Sequence, residues 1–103
     1  MKHAVRSASA SSDIVAAVEH YLDEAPHAAA AFIDEIERAV RHIERHPASG
    51  SPRYSHELDI PRLRHWKLKR FPCALFYLEY DEYLFVIRCV HLSRDIPRSL
   101  QEE

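Results

Sequence analysis

The sequence has a single glycine, Gly50, in 103 residues. That scarcity excludes glycine-rich phosphate loops and nucleophile elbows: G-x-x-x-x-G-K-[ST], G-x-G-x-x-G and G-x-S-x-G are all missing, as is H-E-x-x-H. The two cysteines, Cys73 and Cys89, are too few for a disulfide framework and lack metal-ligand spacing. No apolar run reaches the roughly 18 residues of a membrane-spanning helix. The opening MKHAVRSASASSD has no signal-peptide core. The expectation is a single domain over residues 1–103, cytoplasmic, with no cofactor, no metal and no membrane partner.

What the sequence does hold is concentrated between Leu63 and Asp95. Cys73 to Tyr80 and Tyr83 to Leu92 are almost wholly apolar or aromatic, and Leu63 to Arg70 before them is basic. Short runs rich in Val, Ile, Phe, Tyr and Leu predict a three-stranded antiparallel meander. The net charge of −2 hides an uneven distribution. Residues 1–52 carry five basic and eight acidic side chains, whereas Arg62, Arg64, Lys67, Lys69 and Arg70 lie together with no acid among them. The overall balance excludes indiscriminate nucleic-acid binding, while the cationic stripe suits an anionic partner.

Before the meander, His3 to Ala8 alternates like an edge strand. Ser9 to Asp13 offers helix caps, with Asp13 placed for the helix dipole. Ile14, Ala17, Val18, Tyr21 and Leu22 then mark one apolar helical face ending near Asp23 to Ala25. Pro26 suits the start of a second helix. Ala29, Phe32, Ile33, Ile36, Val40 and Ile43 carry that helix to about His46, in an antiparallel hairpin with the first. Residues 47–61, punctuated by Pro47, Gly50, Pro52 and Pro61, read as loop. The fold class is α+β in the order β-α-α-β-β-β, with a helical hairpin on one face of a mainly antiparallel sheet and the other face open.

Period-two alternation places Trp66 and Leu68 toward the core and His65, Lys67 and Lys69 on the open face. In the last strand, Leu84, Val86, Arg88 and Val90 share a side. Arg88, the odd residue of that set, assigns it to the open face. A two-residue Asp81-Glu82 loop sets Tyr80 against Tyr83 and Cys73 against Val90, with the two cysteines on opposite faces as reduced, buried thiols. Asp-Glu is a poor hairpin turn, so another register stays open. His42 and His46 have the spacing of a helical metal pair but no third ligand. Tyr77, Tyr80 and Tyr83 are either packing or base-stacking groups. The cationic face itself has three readings: a solvated edge, a docking surface for an acidic segment, or a phosphate-handling site.

The helical text Asp13-Ile14…Tyr21…Ala31-Phe32…Ile36…Ala39…Ile43…Pro47…Gly50 joins two C-terminal signatures, Arg70-Phe71-Pro72…Phe76-Tyr77 and Arg88-Cys89-Val90-His91…Arg94-Asp95-Ile96-Pro97. In this order they resemble the ParE/RelE toxin superfamily over about Val5 to Leu100, its plasmid-stabilising ParE-like branch most. The resemblance implies the toxin of a type II toxin–antitoxin system, neutralised in a hetero-oligomer by a cognate ParD-like antitoxin whose C-terminal segment wraps the toxin. ParE-like members inhibit DNA gyrase; RelE-like members cut mRNA on the ribosome. The nuclease branch uses sheet cations, often a third-strand arginine, and a late tyrosine or histidine. Here Lys67, Lys69, Arg88 and His91 are the candidates for that catalysis. The third strand has no arginine and no tyrosine follows Tyr83, which favours a protein–protein inhibitor over an enzyme. A third possibility is a degenerate toxin kept as an antitoxin-binding module. For partner or target contact the expected residues are His65, Lys67, Lys69, Arg88, His91 and Arg94.

Overall fold

In the computed structural model, which describes residues 1–101, the sheet follows the order β1-β4-β3-β2. Its strands are β1 (His3–Arg6), β2 (Arg64–Lys67), β3 (Cys73–Glu79) and β4 (Tyr83–His91). β1 runs parallel to β4, and the other two pairings are antiparallel. Helices α1 (Ala8–Glu24) and α2 (Pro26–Arg45) form the expected hairpin. Phe32, Ile36, Ala39 and Ile43 of α2 and Ala10 and Ile14 of α1 pack on Leu75, Tyr77, Leu84 and Val86 of the sheet. Burying each large member of that set stabilises the fold by about 1.5–3 kcal/mol.

The hairpin begins earlier than the Ser9–Asp13 cluster suggests. Ser7 is the N-cap: its Oγ accepts from the Ala10 N–H at 2.9 Å and donates to the Ile87 carbonyl at 2.7 Å. One hydroxyl thus caps α1 and fixes it to β4. Asp13 falls inside the helix and serves another purpose, described below. At the free edge of β1 the Ala4 N–H donates to Glu44 of α2 at 2.7 Å. A carboxylate there blunts an edge that would otherwise pair with another strand.

The second sheet face is not open, as alternation alone suggests. Residues 47–61 hold a 3-10 turn, Pro47–Ser49, and a short helix, α3 (Arg53–Glu57). A further helix, α4 (Ile96–Gln101), follows β4. Tyr54, Leu58, Ile60, Ile96 and Leu100 from these segments cover Leu63, Ala74, Phe76 and Val90. Short helices carry too few turns for a visible period, and residues 47–61 are rich in proline, so neither cover was readable from spacing.

The lone glycine has a steric reason. The Tyr77 hydroxyl donates to the Pro47 carbonyl at 2.7 Å and accepts from the Gly50 N–H at 3.0 Å. A Cβ on Gly50 would lie only 2.9 Å from Cε1 and Cζ of that ring. The loop is therefore pinned to β3 by a buried tyrosine that tolerates no side chain at position 50.

One irregularity sets the register. Near the turn Glu79 faces Leu84 and Tyr77 faces Val86, as a two-residue loop requires. Beyond it Phe76 faces Arg88 and Cys73 faces His91. Ile87 is the extra residue of a β-bulge, so the residues of β4 before and after it have opposite parity. Leu84 and Val86 face the helices rather than the second face, Val90 lies in the second core, and both cysteines join the helix-side core.

Candidate functional site

The bulge builds a cleft beside α1. It holds about 460 Å³ and is lined by Asp13, His20 and Tyr21 of α1, by Cys73 and Cys89 on the strands, and by His91 and Arg94 where the chain leaves β4. Of the residues expected from sequence, it collects His91 and Arg94 and no others.

Asp13, on its wall, is held by Arg88. Arg88 Nε donates to Asp13 Oδ2 at 2.7 Å and one terminal nitrogen donates to Oδ1 at 3.0 Å. Oδ2 also accepts the Cys89 N–H at 3.0 Å. Beyond the end of β1 that N–H has no neighbouring strand, so the carboxylate does the work of a missing β-partner. The other terminal nitrogen of Arg88 donates to the Ser99 carbonyl of α4 at 2.5 Å. Arg88 thus joins α1, β4 and α4 and is not a free cation for a partner. Asp13 is the residue that sequence reasoning misplaced. The available signal was the arginine itself, because an arginine within an apolar strand requires a counter-charge.

His91 is exposed but its chemistry is fixed. The Ser93 backbone N–H donates to His91 Nδ1 at 3.1 Å, and the Ser93 hydroxyl lies 2.7 Å from the same atom. A backbone N–H can only donate, so Nδ1 is the acceptor and the neutral ring carries its proton on Nε2. In this arrangement the outer nitrogen is a hydrogen-bond donor. Arg94 is exposed beside it. Together they can bind an anionic group. Tyr21 on the opposite wall has its phenol pushed above the ordinary value by burial, with Cys73 and Cys89 adding to the effect.

The remaining expected residues lie elsewhere. His65 is buried under α3, stacked on Phe76 with centroids 5.2 Å apart and packed on Tyr54, so it is not a contact residue. Burial, with Lys67 and Arg53 nearby, lowers its pKa. Among the described residues its Nδ1 has no hydrogen-bond partner. Lys67 is exposed on that same side, opposite Ala74. Lys69 does not share its face: β2 ends at Lys67, and Lys69 turns toward α2, in a hollow with Glu35, His42 and Trp66. His42 stacks on Trp66 with centroids 4.1 Å apart and lies 5.2 Å, centroid to centroid, from His46. No group of three or more His, Cys, Asp or Glu among the described residues is arranged to hold a metal ion. No helix among them is long and apolar enough to cross a membrane.

A helical hairpin on a four-stranded, mostly antiparallel sheet defines a small α+β fold. The comparisons carry this further. Residues 5–96 match the family described as the ParE toxin of the type II toxin–antitoxin system, parDE. The chain belongs to the ParE toxin family. It is similar in fold to a solved structure from the chromosomal ParDE toxin–antitoxin system of P. aeruginosa, with a TM-score of 0.74. Identity there is 19%, and the match covers 89% of this chain and 97% of that one. No curated protein sequence matches it.

Proposed function

We propose that this protein inhibits DNA gyrase in the cytoplasm by protein–protein contact and is held inactive by a ParD-like antitoxin. Membership of the ParE family supports the pairing with an antitoxin. The observation that favours gyrase over messenger RNA is the placement of the four candidate nuclease groups. Cleaving RNA requires a base for the attacking hydroxyl and cations around one phosphate. His91 Nδ1 is occupied by Ser93, Arg88 is committed to Asp13, and Lys67 and Lys69 lie on different sides of the sheet. The four groups a nuclease needs are not assembled. Lys67, Lys69, His91 and Arg94 remain exposed and are the proposed contacts to antitoxin or target.

Pulse labelling after induction without antitoxin tests this reading. Early loss of DNA synthesis with translation continuing is the expected result. Early loss of translation, with new codon-linked 5′ ends in messages, identifies a ribonuclease instead. Antitoxin binding with neither synthesis affected identifies a degenerate binding module.

A further inference from the structure

We propose that Cys73 and Cys89 form a peroxide-responsive dithiol in which Cys73 is oxidised first and Cys89 closes a cross-strand disulfide. The inference begins with the bulge. A regular hairpin would set the two thiols on opposite faces of the sheet. The extra residue, Ile87, moves Cys73 opposite His91 and Cys89 opposite Leu75, on one face and along one diagonal of the ladder. Both side chains line the same open cleft. Both belong to the buried helix-side core. A core cysteine is ordinarily an isolated small hydrophobe; two thiols on one face of the ladder, lining one cleft, are a different chemical group.

Their surroundings make the pair unequal. The hydrogen bond from Cys89 and the positive charge of Arg94 lower the Cys73 pKa against the opposing effect of burial. The same hydrogen bond and burial raise that of Cys89. The thiolate is the nucleophile, so Cys73 attacks and Cys89 resolves. The Cys73 sulfur displaces one oxygen of hydrogen peroxide, forming an S–O bond as the O–O bond breaks; with the thiol proton, the leaving hydroxide becomes water. Cys89 sulfur then attacks the sulfenic sulfur of Cys73. The S–S bond forms, the S–O bond breaks, and the departing hydroxide takes the Cys89 proton as a second water. Peroxide is reduced and the two thiols are oxidised.

Diagonal neighbours in a ladder have Cα atoms roughly 7–8 Å apart, slightly beyond the usual disulfide span. Closure therefore draws the strands together next to the bulge, where the ladder is already interrupted, and the resulting bond is readily reduced. It ties the start of β3 to the end of β4 below His91 and Arg94. The inference stands on the register and the cleft and is independent of the target proposed above.

The test treats the full reduced chain with hydrogen peroxide and follows intact mass, with dimedone present to trap sulfenic acid. The wild-type protein should lose two hydrogens without gaining oxygen, lose nearly all its free thiol, and recover both with dithiothreitol. In Cys89→Ser, dimedone should label Cys73; in Cys73→Ser, Cys89 should stay unlabelled at the same dose. The proposal is overturned if the folded wild-type thiols stay free at a dose that oxidises the denatured chain. It is equally overturned if the disulfide forms only between chains, or if dimedone labels Cys89. The wild-type outcome decides the matter even where a variant fails to fold.

Discussion

Asp13 and Arg88, 75 residues apart in sequence, meet in a two-point ion pair whose carboxylate also takes the Cys89 N–H. Side-chain exposures are 17% for Asp13 and 15% for Arg88, so removing either partner strands a largely desolvated charge. Asp13→Ala or Arg88→Ala should each destabilise the fold by about 3 kcal/mol in denaturant titration. The double variant Asp13→Ala/Arg88→Ala should cost clearly less than the two single changes together. Simple additivity would show that the two do not act as a pair.

Gly50 and Tyr77 give a second stability test. Gly50→Ala should cost about 1–3 kcal/mol, because the new methyl displaces the Tyr77 ring. Tyr77→Phe in the wild-type background should cost a similar amount by leaving the Gly50 N–H and Pro47 carbonyl without their partner, about 1–3 kcal/mol. Combined, the substitutions should cost less than their sum, since removing the hydroxyl removes the closest clash. Thermal unfolding of the four proteins measures this.

His65 makes stability depend on pH. Its folded pKa is lowered, chiefly by burial, so below the ordinary value of about 6.5 the unfolded chain binds a proton that the folded chain refuses. Its contribution is intact above that value and declines as the pH falls through it. Urea midpoints measured between about pH 7.5 and 5.5 should fall with acidification. His65→Phe, which keeps the stacking on Phe76 and Tyr54, should flatten part of that slope. His42, lowered in the same direction mainly by burial, retains a share of it. An unchanged slope in His65→Phe would remove His65 as a cause.

Charge at the exit of β2 should govern antitoxin affinity. Lys67→Glu with Lys69→Glu should weaken binding by roughly ten-fold or more at low salt, mainly by slowing association, with the difference shrinking as salt is added. Both side chains are exposed, so the double variant should unfold like the wild type. Unchanged affinity in a folded double variant would show that the antitoxin does not use this stripe.

The helical hairpin and the meander were legible because their apolar residues recur over many turns and strand lengths. Phe32, Ile36 and Ile43 announce one face of α2 without any tertiary knowledge. The face assignments in β4 were not legible, because one extra residue at Ile87 inverts them and a bulge leaves no compositional mark. That single inversion accounts for the errors at Leu84, Val86 and the cysteines. His65 was misassigned for a different reason: alternation gave its side correctly, but α3 and α4, too short to show a period, cover that side. Arg88 was recognised as anomalous, while its partner lay in a helix whose register begins at Ser7 rather than at the serine cluster. Of the expected contact residues, His91 and Arg94 come together in the cleft, and Lys67 and Lys69 are separated where β2 ends.

The measurement that tests the account most directly is supercoiling of relaxed plasmid by purified DNA gyrase in the presence of this protein. Supercoiling should be lost as the protein is added and restored by the antitoxin. Unimpaired supercoiling, together with message cleavage on ribosomes that His91→Ala abolishes, would contradict it.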